Sequence, residues 1–362
     1  MHHFLASASL SLLHRLVGEE VKQTDFSRAH RREYRRKVQL CLDVFETMLT
    51  RSSFEFERPL TGMEIECNLV DAGYQPAMSN SEVLTSIADP AYQTELGAYN
   101  IEFNVPPRPL PGRAALELES EVRASLNAAE SKANASGSHI VMIGILPTLM
   151  PEHLTGDWMS ESTRYQALND SIFYARGEDI QIDIAGPERL SLQAASIAPE
   201  SACTSMQLHL QVSPEDFAKN WNAAQVIAGP QLALGANSPY FFGHQLWSET
   251  RIELFAQATD TRPDELKAQG VRPRVWFGER WITSIFDLSR RTSAISRRCC
   301  PSCPARTRSR SSPTDARRHS RNCGCTTGRS TDGTGRCTTS WTVDPTCASR
   351  IVCCPQARRS ST

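Results

Sequence analysis

The stretch Leu60–Val70, with the sequence LTGMEIECNLV, constrains the fold more than any other part of the chain. Its apolar residues alternate with Glu64, Glu66 and Asn68, and a period of two is the pattern of a β-strand with one buried face. Residues i and i+2 project from the same side of a strand, so the two carboxylates share the polar face. Like charges at this spacing destabilise a strand unless a cation lies over them. The strand therefore either has a solvated outer face or holds a divalent cation, which binds carboxylate oxygens readily.

Two later stretches show the same alternation and favour the cation. They are Ala98–Val105 (AYNIEFNV) and Met206–Val212 (MQLHLQV), and each has a continuous apolar face. Their polar faces carry oxygen and nitrogen donors, namely Asn100, Glu102, Asn104, Gln207, His209 and Gln211. Three such strands predict a sheet with a polar cavity on its concave side, able to hold a metal ion and a bound polyphosphate. Pro106-Pro107 is expected to end the second strand, since proline cannot donate to a ladder.

Helical patterns separate the strands and would cover the apolar face of the sheet. The predicted helices are Ala29–Arg51, Ser81–Ala88, Arg113–Ser136, Glu161–Gly177, Pro214–Ala233 and the beginning of another at Arg280–Leu288. Further strands are predicted at His139–Leu149 and Asp179–Ile184. The sequence therefore predicts an α+β fold, in which an antiparallel sheet has a concave polar face and packs helices against its other face.

The composition changes abruptly near Leu288. The 74 residues after it contain 15 Arg and 3 Asp, no Lys or Glu, and 9 of the 12 cysteines. Residues 1–288 carry 24 Lys+Arg against 37 Asp+Glu, so the overall net charge of −1 conceals an acidic body and a basic tail. The tail also contains no Leu, Phe, Tyr or Met, which sets it apart from the body of the chain.

Four interpretations of this tail compete. A zinc site is disfavoured because the cysteines never form two C-x-x-C pairs and His319 is the only tail histidine. A basic arm for nucleic acid would include lysine, and a disulfide-rich module fits poorly with a body that has three cysteines. We prefer translation out of frame, because permitted codons read one base earlier give strings with strand alternation, aromatic residues and acids.

The predicted organisation has three parts. Met1–Val17 has a short apolar run without a basic leader region, is too short to span a membrane, and is interpreted as an over-extended start. Residues 18–288 would be an incomplete catalytic domain, and residues 289–362 a disordered, out-of-frame tail. Phosphate-loop and dinucleotide-binding glycine patterns are absent from the sequence.

Several short motifs between Gly18 and Leu288 have a characteristic order and spacing. They are Gly62-Met-Glu64-Ile-Glu66, Glu95, Asn100-Ile-Glu102-Phe-Asn104-Val-Pro-Pro107, Leu208-His209-Leu-Gln211-Val, Asn237-Ser-Pro239 and Thr250-Arg251. Together they resemble the motifs of the glutamate–cysteine ligase family 2 proteins, and more narrowly those of an actinobacterial branch of that family. The resemblance implies a carboxylate–amine ligase with a glutamine-synthetase-like catalytic fold, here truncated.

The same resemblance implies a role for each motif residue. The implied Mg²⁺ carboxylates are Glu64, Glu66, Glu95 and Glu102. The implied contacts to metal or nucleotide come from Asn104, His209 and Gln211. Glu102 would also act in catalysis, and Arg251 would hold a substrate carboxylate, for which its bidentate fork is suited.

The implied reaction joins glutamate to an amine, for which the family label names cysteine, with ATP as the phosphoryl donor. Phosphorylation of the carboxylate creates a leaving group, and Mg²⁺ neutralises the charge of the transferred group. The expected cofactors are ATP and Mg²⁺, and the expected partners are small molecules rather than nucleic acid or membrane. The expected location is the cytoplasm.

The chain departs from the family pattern at its end. Family members carry a late strand with Glu-x-Arg, which the out-of-frame reading contains and the printed tail, lacking glutamate, does not. Two other functions are also open, a degenerate ligase that binds glutamate or nucleotide without turnover and a metal-dependent hydrolase that works without ATP. His209 could instead be a hydrogen-bonded core histidine, and Arg251 with Glu253 a surface ion pair.

Overall fold

The structure is a computed structural model that describes most of the chain between Phe26 and Asp287. The residues of that span outside the description are 56, 58, 110, 111, 277 and 279. From the tail it describes the backbone of three short strands. The predicted over-extended start (1–17) and most of the predicted tail (289–362) lie outside the described residues, so the disordered, out-of-frame tail stays a prediction.

Five of the six predicted helices match described elements to within one to three residues at each end, whereas the helix predicted to begin at Arg280 begins at Ile285. The strands are β1 (Phe54–Glu55), β2 (Leu60–Val70), β3 (Tyr92–Thr94), β4 (Asn100–Pro109), β5 (His139–Val141), β6 (Ile180–Ala185), β7 (Arg189–Ala194), β8 (Met206–Leu210), β9 (Tyr240–Phe241), β10 (His244–Gln245), β11 (Trp341–Thr342), β12 (Ser349–Cys353) and β13 (Gln356–Ala357). The helices are α1 (Arg28–Thr50), α2 (Asn80–Ile87), α3 (Ala114–Ala135), α4 (Thr163–Arg176), α5 (Ala198–Ser201), α6 (Phe217–Gly235), α7 (Arg251–Ala258) and α8 (Asp264–Ala268). Within the described residues, no helix is both long and apolar enough to cross a bilayer.

The central strand of the main sheet is β2. The strand order is β11-β12-β8-β2-β4-β3, and β5 pairs with the C-terminal end of β2. β2 runs antiparallel to β4, β5 and β8, whereas β12 runs parallel to β8. The predicted α+β fold, built on an antiparallel sheet, is confirmed.

The two prolines of β4 do not end the strand, and that prediction was wrong. β4 continues through Pro106-Pro107 as far as Pro109, and the register against β2 shifts between Thr61 and Met63, at the position opposite the two prolines. A bulge leaves an extra residue outside the hydrogen-bond ladder, so the missing proline N–H groups cost little there.

Helices α2 and α3 cover the apolar face of the β2–β4 pair. The core on this side is a single cluster made of Ile65, Cys67, Leu69, Val83, Ile87, Tyr92, Ile101, Phe103, Val105, Leu118, Ala129 and Ala133. Each large side chain buried in this way contributes roughly 1.5–3 kcal/mol, which fixes which face of each strand is apolar. The opposite faces of β2 and β4 are thereby left to their polar residues.

A second core cluster lies around the β6–β7 hairpin, where Ile180, Ile182 and Ile184 are buried. The segment predicted as one long strand, His139–Leu149, pairs only as far as Val141 and then enters this cluster as a loop. Its glycine and proline interrupt the ladder, and its apolar residues are buried by packing rather than by strand pairing.

Candidate active site

Cross-strand pairing brings predicted site residues from three strands onto one face of the main sheet. Glu66 of β2 is directly opposite Glu102 of β4, while Glu64 is opposite Asn104 on one side and Gln207 of β8 on the other. Directly opposite residues on neighbouring strands project from the same face. We call this surface the acidic face, and its residues are Glu64, Glu66, Glu102, Asn104, Gln207 and His209.

Within the described residues, Ser205 and Gln207 hold the carboxylate of Glu66 by hydrogen bonds. Its Oε2 accepts from the backbone N–H of Ser205 (2.7 Å) and from the Ser205 hydroxyl (3.1 Å), and its Oε1 accepts from Gln207 Nε2 (3.0 Å). Such donors favour the charged carboxylate and fix its orientation. Ser205 precedes β8 and lies outside the alternating pattern, so no sequence signal identified it.

Glu102 has a strongly perturbed pKa. Burial is the largest cause, and the charges of Glu64 and Glu66 act in the same direction, so the pKa rises to about 8. Two smaller effects oppose this rise, the hydrogen bond from Asn104 Nδ2 (2.6 Å) and the charge of Arg164. A carboxyl group that keeps its proton because of neighbouring negative charge ionises when a cation binds beside it.

His209 is buried at the edge of the acidic face. Its Nε2 atom lies 3.4 Å from Glu64 Oε1, and within the described structure this buried nitrogen has no hydrogen-bond partner. An unsatisfied buried polar atom costs about 1–3 kcal/mol, so the arrangement fits a ligand atom that would complete it. The predicted contact of His209 with metal or nucleotide stays a prediction, and this geometry supports it.

Gln211 and Glu95 lie at the margins of the acidic face. The side-chain oxygen of Gln211 accepts from the backbone N–H of Leu60 (3.1 Å), which adds a hydrogen bond at the end of the β2–β8 pair. Glu95 is half-buried between β3 and β4. After burial, the charge of Glu95 is the next largest cause that raises the pKa of Tyr165, and Glu102 also contributes, so both carboxylates lie near one phenol.

A magnesium ion fits these residues without a closed protein cage. Among the described residues, no group of three or more His, Cys, Asp or Glu side chains could hold a metal ion by itself. Mg²⁺ is ordinarily bound by one or two carboxylates together with waters and substrate phosphates. A bound cation would reduce the repulsion among Glu64, Glu66 and Glu102. Its anionic ligand would give a hydrogen-bond partner to the buried Nε2 of His209, which has none within the described structure.

Arg251 is buried in a protein network rather than exposed beside Glu253. The residue begins helix α7 and is buried, so the interpretation of Arg251 and Glu253 as a surface ion pair is wrong. Its guanidinium forms a bidentate pair with Glu249, through Nε to Oε1 and Nη2 to Oε2 (2.7 Å). It also donates to the backbone oxygen of Thr204 and to Asn237 Oδ1 (3.1 Å).

Buried asparagines link this arginine network to the acidic strands. Asn100 Nδ2 donates to Asn68 Oδ1 (3.0 Å), and Asn68 Nδ2 donates to the Thr204 hydroxyl (3.3 Å) and to the carbonyl of Ile143 (3.1 Å). Asn68 and Asn100 lie two residues from Glu66 and Glu102 on the same strand faces. The alternating pattern placed both asparagines on the polar strand faces, and the pairing of Asn68 with Asn100 agrees with it, whereas Thr204 has no comparable signal in the sequence.

The comparisons with known proteins give a family match. The family model described as Glutamate-cysteine ligase family 2 (GCS2) matches residues 60–277, which begin with β2 and include the acidic face and the Arg251 network. A search of curated proteins found no match to this chain. The family match indicates an ATP-dependent carboxylate–amine ligase in the general sense. The chain belongs to glutamate–cysteine ligase family 2.

Proposed function

We propose that the protein forms a γ-glutamyl amide from glutamate and an amine, using ATP and Mg²⁺. The observation that carries this proposal is the acidic face, where three carboxylates from adjacent strands lie together and where burial, followed by the charges of Glu64 and Glu66, raises the pKa of Glu102 to about 8. Such an arrangement is costly to folding unless a cation is part of the working state. Cysteine is the amine that the family description names.

The residues of the acidic face would bind metal, support a metal-binding carboxylate or bind nucleotide. Glu64 and Glu102 would hold the magnesium ion, while Glu66 is kept in place by Ser205 and Gln207. When bound, Mg²⁺ supplies charge neutralisation for phosphoryl transfer. His209 Nε2 would donate a hydrogen bond to an anionic oxygen of the nucleotide.

The reaction class fits an active site that positions charge rather than forming a covalent enzyme intermediate. The γ-carboxylate of glutamate would attack the terminal phosphorus of ATP, and ADP would leave. The amine would then attack the acyl carbon, phosphate would depart, and the amine proton would pass to a base or to water. Both steps depend on orientation and on stabilising negative charge, which the acidic face and its cation would supply.

A phosphate-release assay tests the proposal. Release should require Mg²⁺, ATP, glutamate and an amine such as cysteine together, and it should fall to background when glutamate is omitted. A metal-dependent hydrolase would act without ATP. A degenerate ligase would bind glutamate or ATP in a calorimetric titration and release no phosphate, so the same two measurements separate the three functions.

We also propose that residues 289–362 are read out of frame in a chain from an actinobacterial branch of the family, which impairs the printed protein. The family match ends at residue 277, close to the change in composition, and this supports the proposal. Resequencing the gene around the Leu288 codon tests it directly. A frame-corrected chain should release phosphate at least about tenfold faster than the printed chain, because the missing Glu-x-Arg strand would complete the charge-stabilising groups. A cytoplasmic location, where ATP and Mg²⁺ are available, belongs to the same proposal.

A further inference from the structure

The first turn of α4 forms the rim of the acidic face beside β3. The phenol of Tyr165 donates to the backbone oxygen of Thr94 in β3 (3.0 Å). The preceding strand residue, Gln93, is paired directly with Glu102 of β4. Helix α4 is therefore held beside the β3–β4 strand pair, which carries Glu102.

Arg164 lies on this rim and is exposed. Its backbone N–H donates to Ser162 Oγ at the start of the helix (3.3 Å), and its guanidinium carbon lies 5.2 Å from the centroid of the Tyr165 ring. Its positive charge reaches Glu102, whose pKa it lowers. Among the described residues, the Arg164 guanidinium has no hydrogen-bond or ion-pair partner, so its donors are open to a ligand.

Arg251, to which the family resemblance assigns a substrate carboxylate, is already paired with a carboxylate of the protein. Arg251 is buried, and Glu249 already supplies the carboxylate that its guanidinium fork would bind. Moving a substrate into that position would leave Glu249 buried without its partner, which is strongly unfavourable. A ligase acting on an amino acid therefore needs another cation for the carboxylate that does not react.

We propose that Arg164 binds the α-carboxylate of the acid substrate, an inference that rests on the proposed function. The reacting γ-carboxylate must lie over the acidic face, next to the metal carboxylates. The α-carboxylate of a molecule the size of glutamate then extends towards the rim, where Arg164 presents five N–H donors in a planar fork that matches a carboxylate. The ring of Tyr165 lies within cation–π distance and orients the guanidinium.

Calorimetric titration of the full chain with L-glutamate and with 4-aminobutyrate tests this assignment. The two ligands share the γ-carboxylate, and 4-aminobutyrate lacks the α-carboxylate. Arg164→Gln should weaken glutamate binding about tenfold or more, because a charge-assisted bidentate pair is lost, and should leave 4-aminobutyrate binding unchanged. Arg164→Lys, which keeps the charge and loses the fork, should give an intermediate loss.

Arg189→Gln provides the matched control, since Arg189 is also exposed but pairs with Asp183 on the β6–β7 hairpin. Its glutamate affinity should equal that of the unaltered chain. The assignment is overturned if Arg164→Gln keeps the preference for glutamate over 4-aminobutyrate, or if it weakens MgATP binding alone. Failure of the unaltered chain to bind glutamate would instead overturn the proposed function, and the Arg164 assignment with it.

Discussion

Glu66 and Glu102 face each other across the β2–β4 ladder, so two carboxylates occupy one cross-strand pair at the centre of the main sheet. Only one of them has strong local support, because Ser205 and Gln207 donate to Glu66, whereas within the described part of the chain Glu102 accepts from Asn104 alone. The repulsion therefore acts mainly on Glu102. A pair of this kind weakens the apo sheet and prepares it to bind a cation, which is the usual conflict between stability and function at an active site.

The first prediction concerns the pH dependence of stability. An unperturbed glutamate has a pKa of 4.5, and the pKa of Glu102 in the folded protein is about 8. Between these pH values the folded state holds more protons than the unfolded state, so the free energy of unfolding of the metal-free protein should fall as the pH rises through this window. Glu102→Gln should remove most of that fall and raise the free energy of unfolding at pH 8 by up to about 5 kcal/mol, since one pKa unit corresponds to about 1.4 kcal/mol and the pKa rises from 4.5 to about 8.

Urea unfolding at several pH values between 4.5 and 8.5 in the presence of a chelator measures this effect. Glu121→Gln is the control, because Glu121 is an exposed glutamate whose pKa is lowered by its hydrogen bond with Arg108. That substitution should not stabilise the protein at pH 8. Equal pH dependence in Glu102→Gln and the unaltered chain would show that the repulsion on Glu102 is already relieved in the folded protein.

The second prediction concerns magnesium. Mg²⁺ with ATP should raise the melting temperature of the unaltered chain, because a ligand that binds the folded state alone stabilises it. Glu64→Gln should weaken the apparent Mg²⁺ affinity about tenfold or more, as expected when a metal site loses a supporting group. Glu119→Gln is the control, since Glu119 is exposed and pairs with Arg123 on α3. Matching Mg²⁺ titration curves for the two variants would remove Glu64 from the metal site.

The acidic face was predictable because it depends on a local rule. In β2 and β4 a period of two separates core residues from polar ones, and the apolar cluster under α2 and α3 fixes which face is which. In β8 the expected apolar face is wrong, because Gln207 and His209 are buried whereas Met206 is exposed. Pairing then brings Glu64, Glu66 and Glu102 together, as the alternation predicted. The strand register itself, including the bulge opposite Pro106-Pro107, depends on tertiary contacts that no local pattern records.

The surroundings of Arg251 were not predictable, because they also depend on tertiary contacts. An Arg-x-Glu alternation suggested an exposed pair with Glu253, but the chain turns into a helix at Arg251 and the buried partner is Glu249, on the other side in sequence. The sequence patterns did not identify Arg164, because its position beside the acidic face results from the contact between α4 and β3. Residues whose role arises from long-range packing have no signature in one sequence.

The third prediction separates a structural role of Arg251 from a substrate-binding role. Arg251→Met should lower the free energy of unfolding by about 3–5 kcal/mol, because Glu249 would remain buried without its charge partner. Adding Glu249→Leu should recover much of that loss, since an apolar pair can replace a buried ion pair. Denaturant unfolding of both variants measures how much of the lost free energy of unfolding is recovered. A stable Arg251→Met protein that fails to bind glutamate would restore the substrate role implied by the family motif.

The fourth prediction tests the packing that holds the Arg251 guanidinium in place. A Cβ atom at Gly144 would lie 2.5 Å from Asn237 Oδ1, 2.6 Å from Arg251 Cζ and 2.7 Å from Arg251 Nε, all of which belong to a hydrogen-bonded buried network. Gly144→Ala should therefore lower the free energy of unfolding by about 1–3 kcal/mol, as overpacking does. It should also loosen the Thr204 segment, because the Thr204 N–H donates to the Gly144 carbonyl (3.0 Å).

Gly62→Ala is the matched control for this last prediction. The added Cβ would meet Val105 O at 3.6 Å and His209 Cβ at 3.9 Å, which are ordinary contacts, and Gly62 lies within β2. A glycine inside a strand costs about 0.5–1 kcal/mol relative to alanine, so Gly62→Ala should leave stability unchanged or raise it by that amount. If both substitutions destabilised the chain equally, the close approach of Gly144 to Arg251 would not be what fixes the arginine. A difference of the expected sign would show that Gly144 is needed because its missing side chain makes room for the guanidinium.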